Sequence, residues 1–576
     1  MAYPTAVRTH FTAMSASASP LWRVLSTGRR VPAVPARHGP LVVAPFATAV
    51  ESPTAQDVNP AQILRNVRPK LLIDGDFVDA ASGKTFPVLD PRTEDVIAQV
   101  AEADAADVDR AVGAARRAFD SGPWRKMSGR QRGRVLSRLA DLLEERAEEF
   151  ARIETLDNGK PLALSRGFDI PFVVSHFRYF AGWADKISGK TLQTNSNTFA
   201  YTLHEAVGVA AAIIPWNLPL LMMALKAAPA LACGCTVVLK VAEQTPMSAL
   251  LFGELALEAG VPPGVFNILP GYGPTAGAAL VAHPGVDKVS FTGSTEVGRE
   301  IMRGAADGVK HVSLELGGKS AAIVCPGVDL ESVVEEAHDA LFMNQGQACA
   351  AGSRTFVHES LYDEFVERAV ERAQRATVGD PFGDVQLGPL VDSAQLEKVL
   401  GYMREGAAQA GAGYLCLVAE YSYLIYRLNG SLIGVATQGA VVRCGGSRIG
   451  SKGYYVEPTV FSDVRDEMSI AKEEIFGPVQ SIMKWSSVEE VLDRANASPY
   501  GLGAGVWTKD LDLANRISRG LRVGTVWVNC YNQFDDAAPF GGYKMSGFGR
   551  DMSEYALQNF TEVKAVVTPL QDPAWI

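Results

Sequence analysis

The chain has 576 residues, 47% apolar and 20% charged, with a formal net charge of −10 at pH 7. That balance describes a globular protein with room for two or three domains and excludes a wholly disordered chain. The acid excess, with no basic block or zinc-finger spacing, argues against a nucleic-acid partner. The seven cysteines are too scattered for the disulfide framework of a small secreted domain.

In chain order, the first fifty residues carry Arg8, Arg23, Arg29, Arg30 and Arg37, several serines, and no Asp or Glu before Glu51. Arg and Ser without acids are the composition of an organellar transit peptide, so residues 1–55 are assigned to a leader, mitochondrial in the first instance and plastid as the alternative. Two amphipathic helices follow, "DVDRAVGAARRAFDSG" and "GRQRGRVLSRLADLLEERAEEFARIETLDNGKP", the second read as one long element ending at Asn-Gly. Ala206 to Leu225 imitate a membrane span, but Pro215, Asn217 and Pro219 would break it at mid-bilayer, so a strand, a turn and a buried helix are expected and no membrane partner.

From residue 207 short apolar runs alternate with longer helical ones: "VGVAAAII", "LPLLMMALKAAPALA", "TVVLKV", "PMSALLFGELALEAG", "VFNIL", "DKVSFTG", "TEVGREIMRGAA" and "HVSLEL". Repeated strand–helix–strand units predict a parallel, doubly wound sheet, which binds ligands beyond the carboxyl ends of its strands. A second α/β set begins at "SAAIVC", giving two α/β domains with a cleft between them. Cys233 and Cys235 lack a second ligand pair and read as packing, so no metal site is assigned.

Five constellations carry chemistry. In "FTGSTEVG", Gly293, Ser294, Thr295, Glu296, Val297 and Gly298 form a strand-to-helix turn that suits an anion, though its spacing is not GxGxxG. Lys240 and Glu243 of "LKVAEQTP" suit ribose hydroxyls, and a carboxylate there favours NAD by repelling a 2′-phosphate. Asn217 of "PWNLP" offers a fixed carboxamide for a developing oxyanion. Glu315, between Leu314 and Leu316, is a candidate general base whose pKa burial should raise. Cys349 sits among small residues in "FMNQGQACAAGSR", as a nucleophile needing room would.

With "EEIFGP" and "PFGGYKMSG", these motifs occur in an order that resembles the aldehyde dehydrogenase superfamily over roughly residues 70 to 576, with features like its plant mitochondrial branch. The resemblance implies a Rossmann-like NAD domain (56–190 and 209–317), an α/β catalytic domain (318–557), and a β-hairpin oligomerisation element (191–208 with 558–576). It makes Cys349 the nucleophile toward an aldehyde, Asn217 and the Cys349 N–H the oxyanion hole, and Glu315 the activator of water. Glu474 and Phe476 would hold the nicotinamide ribose and ring of NAD, and Trp216 would line the cofactor site. It also implies a homotetramer and a broad aldehyde range. Leu218, Leu225, Ala348 and Ala350 replace bulkier family residues, so a wider, less aromatic tunnel is expected, with Met222 lining it and Phe534 a remaining wall. An apolar, Tyr-rich insertion at 410–438 departs from the family pattern and reads as translated intron sequence or a surface loop.

Overall fold

The computed structural model describes residues 58–409 and 440–571; the leader and the insertion lie outside the described residues. Two sheets dominate. The first has eight strands, and its parallel centre runs in spatial order His311–Glu315, Lys288–Thr292, Val209–Ile213, Thr236–Lys240 and Phe266–Leu269. Each of the last four is buried along its whole length, which is why they read as continuous apolar runs and do not alternate. The chain order reverses at Val209–Ile213, so the crevice between its end and the end of Lys288–Thr292 is the topological switch point where ligands bind in such sheets.

The helix Pro219–Cys233 is buried at every residue. The membrane-like stretch before Leu225 is therefore strand, turn and core helix, and among the described residues no helix is long and apolar enough to cross a membrane.

The long helix expected before Pro161 is two helices, Gly129–Glu145 and Ala147–Asn158, divided at Arg146. Arg146 leaves helical geometry (φ −109°, ψ 20°), and the break gives each half its own buried face, Leu136, Leu139 and Leu143 in one and Phe150, Ile153 and Leu156 in the other. The second half ends as its Asn-Gly implies, with Gly159 left-handed at φ 88°.

The second sheet has seven strands and is parallel from Thr459–Ser462 through Val479–Trp485, Arg354–His358, Ala321–Val324 and Gly503–Trp507 to Thr525–Val528, with Val441–Cys444 antiparallel at one edge. Two antiparallel edge pieces of the first sheet carry no readable period. Leu71–Ile73 lies beside Phe266–Leu269, and Gly547–Phe548, from the far end of the chain, lies beside His311–Glu315. A third, three-stranded sheet joins Thr191–Leu192, Thr198–Ala206 and the C-terminal Thr561–Pro569, with nine residue pairs between the last two.

Candidate active site

The motif residues collect at strand ends. Trp216 and Asn217 follow Val209–Ile213, Glu243 follows Thr236–Lys240 with Lys240 its last residue, Gly293 follows Lys288–Thr292, and Glu315 closes its own strand. All of them therefore meet the carboxyl edge of the parallel sheet.

Cys349 comes from the other direction, on a loop before the strand Arg354–His358 of the second sheet. That loop is tightly wound: Asn344, Gln345 and Gly346 have φ of 51°, 57° and 70°. Two successive non-glycine residues in the left-handed region are costly and persist only where surroundings impose them. Here the Gln345 amide donates to the Pro389 carbonyl at 2.8 Å, and Asn344 Nδ2 donates to the Asn217 carbonyl at 3.0 Å. The Asn217 side chain in turn donates from Nδ2 to the Gln347 carbonyl at 2.9 Å. A carboxamide nitrogen has two protons, so this bond fixes Asn217 and leaves one to donate. Asn217 is buried, whereas Ala348 and Cys349 are half-exposed on the same loop. Ala350 is buried, and Tyr531 donates to its carbonyl at 2.7 Å, so Ala348 and not Ala350 borders the open side. Gly318 lacks a side chain because any Cβ would strike the Cys349 carbonyl, and that absence lets the nucleophile loop close on the strand end.

Burial pushes the Cys349 thiol up to about 12, with the nearby Glu474 and Glu315 carboxylates adding to the rise; the N–H groups of Cys349 and Ala350 oppose it. Glu315 is buried, neither carboxylate oxygen has a hydrogen-bond partner, and its pKa is raised well above the ordinary range, first by desolvation and then by Asp551. Lys226 and Arg550 pull the other way. Lys226 and Asp551 form a buried ion pair at 2.6 Å. Reading the sequence had missed both; the available signal was a single lysine on an otherwise apolar helix, which must find a buried partner.

On the switch-point side, Lys240 donates to Glu243 at 3.2 Å, and desolvation lowers its pKa. The helix Thr295–Ala306 is capped by Ser294, which accepts from Val297 N at 3.3 Å. The Thr292 hydroxyl is buried without a partner and the buried Thr295 hydroxyl meets the Tyr500 hydroxyl, while Ser294, Glu296 and Val297 are exposed. Glu474 accepts from Gly318 N at 3.0 Å, and burial raises its pKa. A Cβ on Gly317 would collide with that carboxylate. Phe476, at φ 59°, meets the Trp216 ring edge to face at 5.3 Å, and its carbonyl accepts from Gln395 at 2.6 Å.

Leu218, Met222 and Leu225 belong to the apolar cluster that holds Ala348, Cys349 and Phe534. Phe534 packs against Phe168, Trp527 and Phe540 at 6.3, 5.6 and 5.5 Å.

A nucleotide-type sheet facing a second α/β unit, with a thiol, a fixed carboxamide and a desolvated carboxylate between them, defines a two-domain enzyme of covalent thiol chemistry. The aldehyde dehydrogenase family model matches residues 77–420 and 428–566, and the chain belongs to that family. It is 56% identical over 509 residues to aldehyde dehydrogenase family 2 member B4, mitochondrial, of Arabidopsis thaliana, covering 88% of this chain and 89% of that one. It is 55% identical to a mitochondrial benzaldehyde dehydrogenase of Antirrhinum majus, covering 88% and 90%. Among solved structures, an NAD+ complex of an aldehyde dehydrogenase from Bacillus cereus superposes with a TM-score of 0.83 at 46% identity, covering 90% of this chain and all of that one. The family match skips residues 421–427, inside the expected insertion.

Proposed function

We propose that this aldehyde dehydrogenase oxidises a broad range of aldehydes to carboxylic acids with NAD, using Cys349, Asn217 and Glu315. The cradle suits a dinucleotide: the switch-point crevice offers the N-terminal N–H groups of Thr295–Ala306, the unpartnered buried Thr292 hydroxyl, and the Lys240–Glu243 pair for ribose. When bound, NAD supplies the hydride acceptor. Glu474 and Phe476 hold its reactive end beside Cys349, while Trp216, Gly293 and Gly298 border the rest.

The Cys349 thiol gives up its proton, through the nearby Glu315 carboxylate to solvent, as its sulfur adds to the aldehyde carbon, and Asn217 with the Cys349 N–H receives the oxyanion. Loss of hydride leaves a thioester on Cys349. Glu315 takes a proton from water, the hydroxide adds to the thioester, and the acid departs as the thiol reforms. The raised Glu315 pKa makes its carboxylate a stronger base than an ordinary one once its own proton is lost. The observation that carries this reading is the unpartnered, desolvated Glu315 carboxylate beside Cys349. A CoA-acylating enzyme needs no such base, and a thiol hydrolase needs no dinucleotide cradle.

NADH absorbance with an aldehyde panel, with and without CoA, tests it. Wild type forms NADH without CoA and Cys349→Ala forms none; absence of NADH from wild type with every aldehyde overturns the reading.

The outer sheet leaves Phe199, Leu203, Val563 and Val567 exposed, which supports assembly as a homotetramer through it. The acid-free leader and the mitochondrial relatives support the mitochondrial matrix over a plastid.

A further inference from the structure

A cavity of about 400 Å³ opens beside Phe534, bordered by Phe172, Tyr179, Ser175, Asp535 and Asp536. Phe534 ties it to the catalytic centre. Its ring meets Trp527 at 5.6 Å, Trp527 meets Tyr531 at 4.7 Å, and Tyr531 donates to the carbonyl of Ala350, next to Cys349, at 2.7 Å. A substrate whose carbonyl reaches Cys349 and whose chain runs along Phe534 would place its far end in this cavity.

The cavity carries negative charge. The Asp536 carboxylate accepts from Ser175 Oγ and pairs with His176 Nδ1 at 2.7 Å. His176 is fully buried, and its Nε2 has no hydrogen-bond partner. Asp535 is exposed, its carboxylate accepts only from Ala537 N at 2.8 Å, and no cation pairs with it among the described residues. Arg178, the one cation on the rim, is turned to Asp141 at 3.0 Å and to Glu144. Carboxylates and the rings of Phe172, Tyr179 and Phe534 around one cavity form an environment that attracts a positive charge and repels a negative one.

We propose that this cavity makes Asp535 and Asp536 specificity-determining residues that favour aldehydes with a positively charged group, a protonated amine or quaternary ammonium, at the end remote from the carbonyl. The inference rests on the reading that Phe534 walls the aldehyde route, and it adds a preference within that route.

The test compares kcat/KM for ω-trimethylammonio aldehydes of increasing chain length with neutral alkyl aldehydes of matched length, in wild type, Asp535→Asn and Asp535→Lys. At the chain length that reaches the cavity, wild type favours the cationic member about tenfold, as expected for a partly exposed cation–π and charge contact worth about 1.4 kcal/mol. Asp535→Asn lowers the ratio several-fold and Asp535→Lys inverts it, and added salt lowers it in wild type. Because the readout is a ratio between two substrates of one preparation, a folding defect does not mimic it. Equal values for cationic and neutral aldehydes at every length, or a ratio untouched by Asp535→Lys, overturn this inference while leaving aldehyde oxidation intact. Failure to oxidise any aldehyde overturns the proposed function itself.

Discussion

Glu315 concentrates the physics of the site in one side chain. Its raised pKa means that the folded protein binds the carboxyl proton more tightly than the unfolded chain does. The fold is therefore penalised as pH rises from the ordinary carboxylate range through the raised value, and the penalty is absent below that range. Glu315→Gln should raise Tm at mildly alkaline pH, with the gain shrinking as pH falls, and should cut steady-state turnover by about 10²–10⁴. A burst of NADH followed by arrest would mark the stalled thioester. In wild type, turnover should climb with pH as Glu315 and then Cys349 give up their protons, with a midpoint reporting the coupled pair and not either group alone. Asp551 raises the Glu315 pKa, and pairing holds the Lys226 charge away from it. Asp551→Asn removes the first effect and frees the second, so the rising limb should move to lower pH. Breaking a buried pair also costs about 3–5 kcal/mol, which a lowered Tm would register. Stopped-flow pH profiles with thermal melts separate the two consequences.

At the level of elements, the strand end before Gly317 and Gly318 works by leaving space. Gly317→Ala would drive Glu474 from its hydrogen bond to Gly318 N, and the expected outcome is a KM for NAD raised about tenfold or more with the fold intact, read by initial rates and circular dichroism. The outer sheet tests a different property. Its nine-residue pairing of Thr198–Ala206 with Thr561–Pro569 is complete within one chain, so the exposed Val563 and Val567 are free to cover another copy. If the proposed tetramer forms through this face, Val563→Lys with Val567→Lys should lower the assembled mass in light scattering while leaving each chain folded; an unchanged mass would remove this face from the assembly.

At the scale of the molecule, the alternation of apolar strands and helices after residue 207 was legible because the central strands are buried on both faces and no tertiary contact competes with that pattern. Asn217, Glu315 and the helix at Thr295 were legible for a related reason: each sits at the end of such a strand, and strand ends in a doubly wound sheet gather at one edge. The short strands Leu71–Ile73 and Gly547–Phe548 were not legible as parts of this sheet, since two or three residues hold no period and the strands through which they join it, Phe266–Leu269 and His311–Glu315, lie in distant segments. The break at Arg146 escaped because both halves keep helical periodicity, and only the direction of their packing separates them. The sequence by itself determined which edge of the sheet the motif residues would reach, because strand burial is a local property. Tertiary structure alone decided that Lys226 meets Asp551 beside Glu315, that Ala350 faces inward while Ala348 stays open, and that Asp535 and Asp536 join Phe172 and Tyr179 around one cavity. Those are relations between segments far apart in the chain, and they are set by how the two sheets and their helices pack.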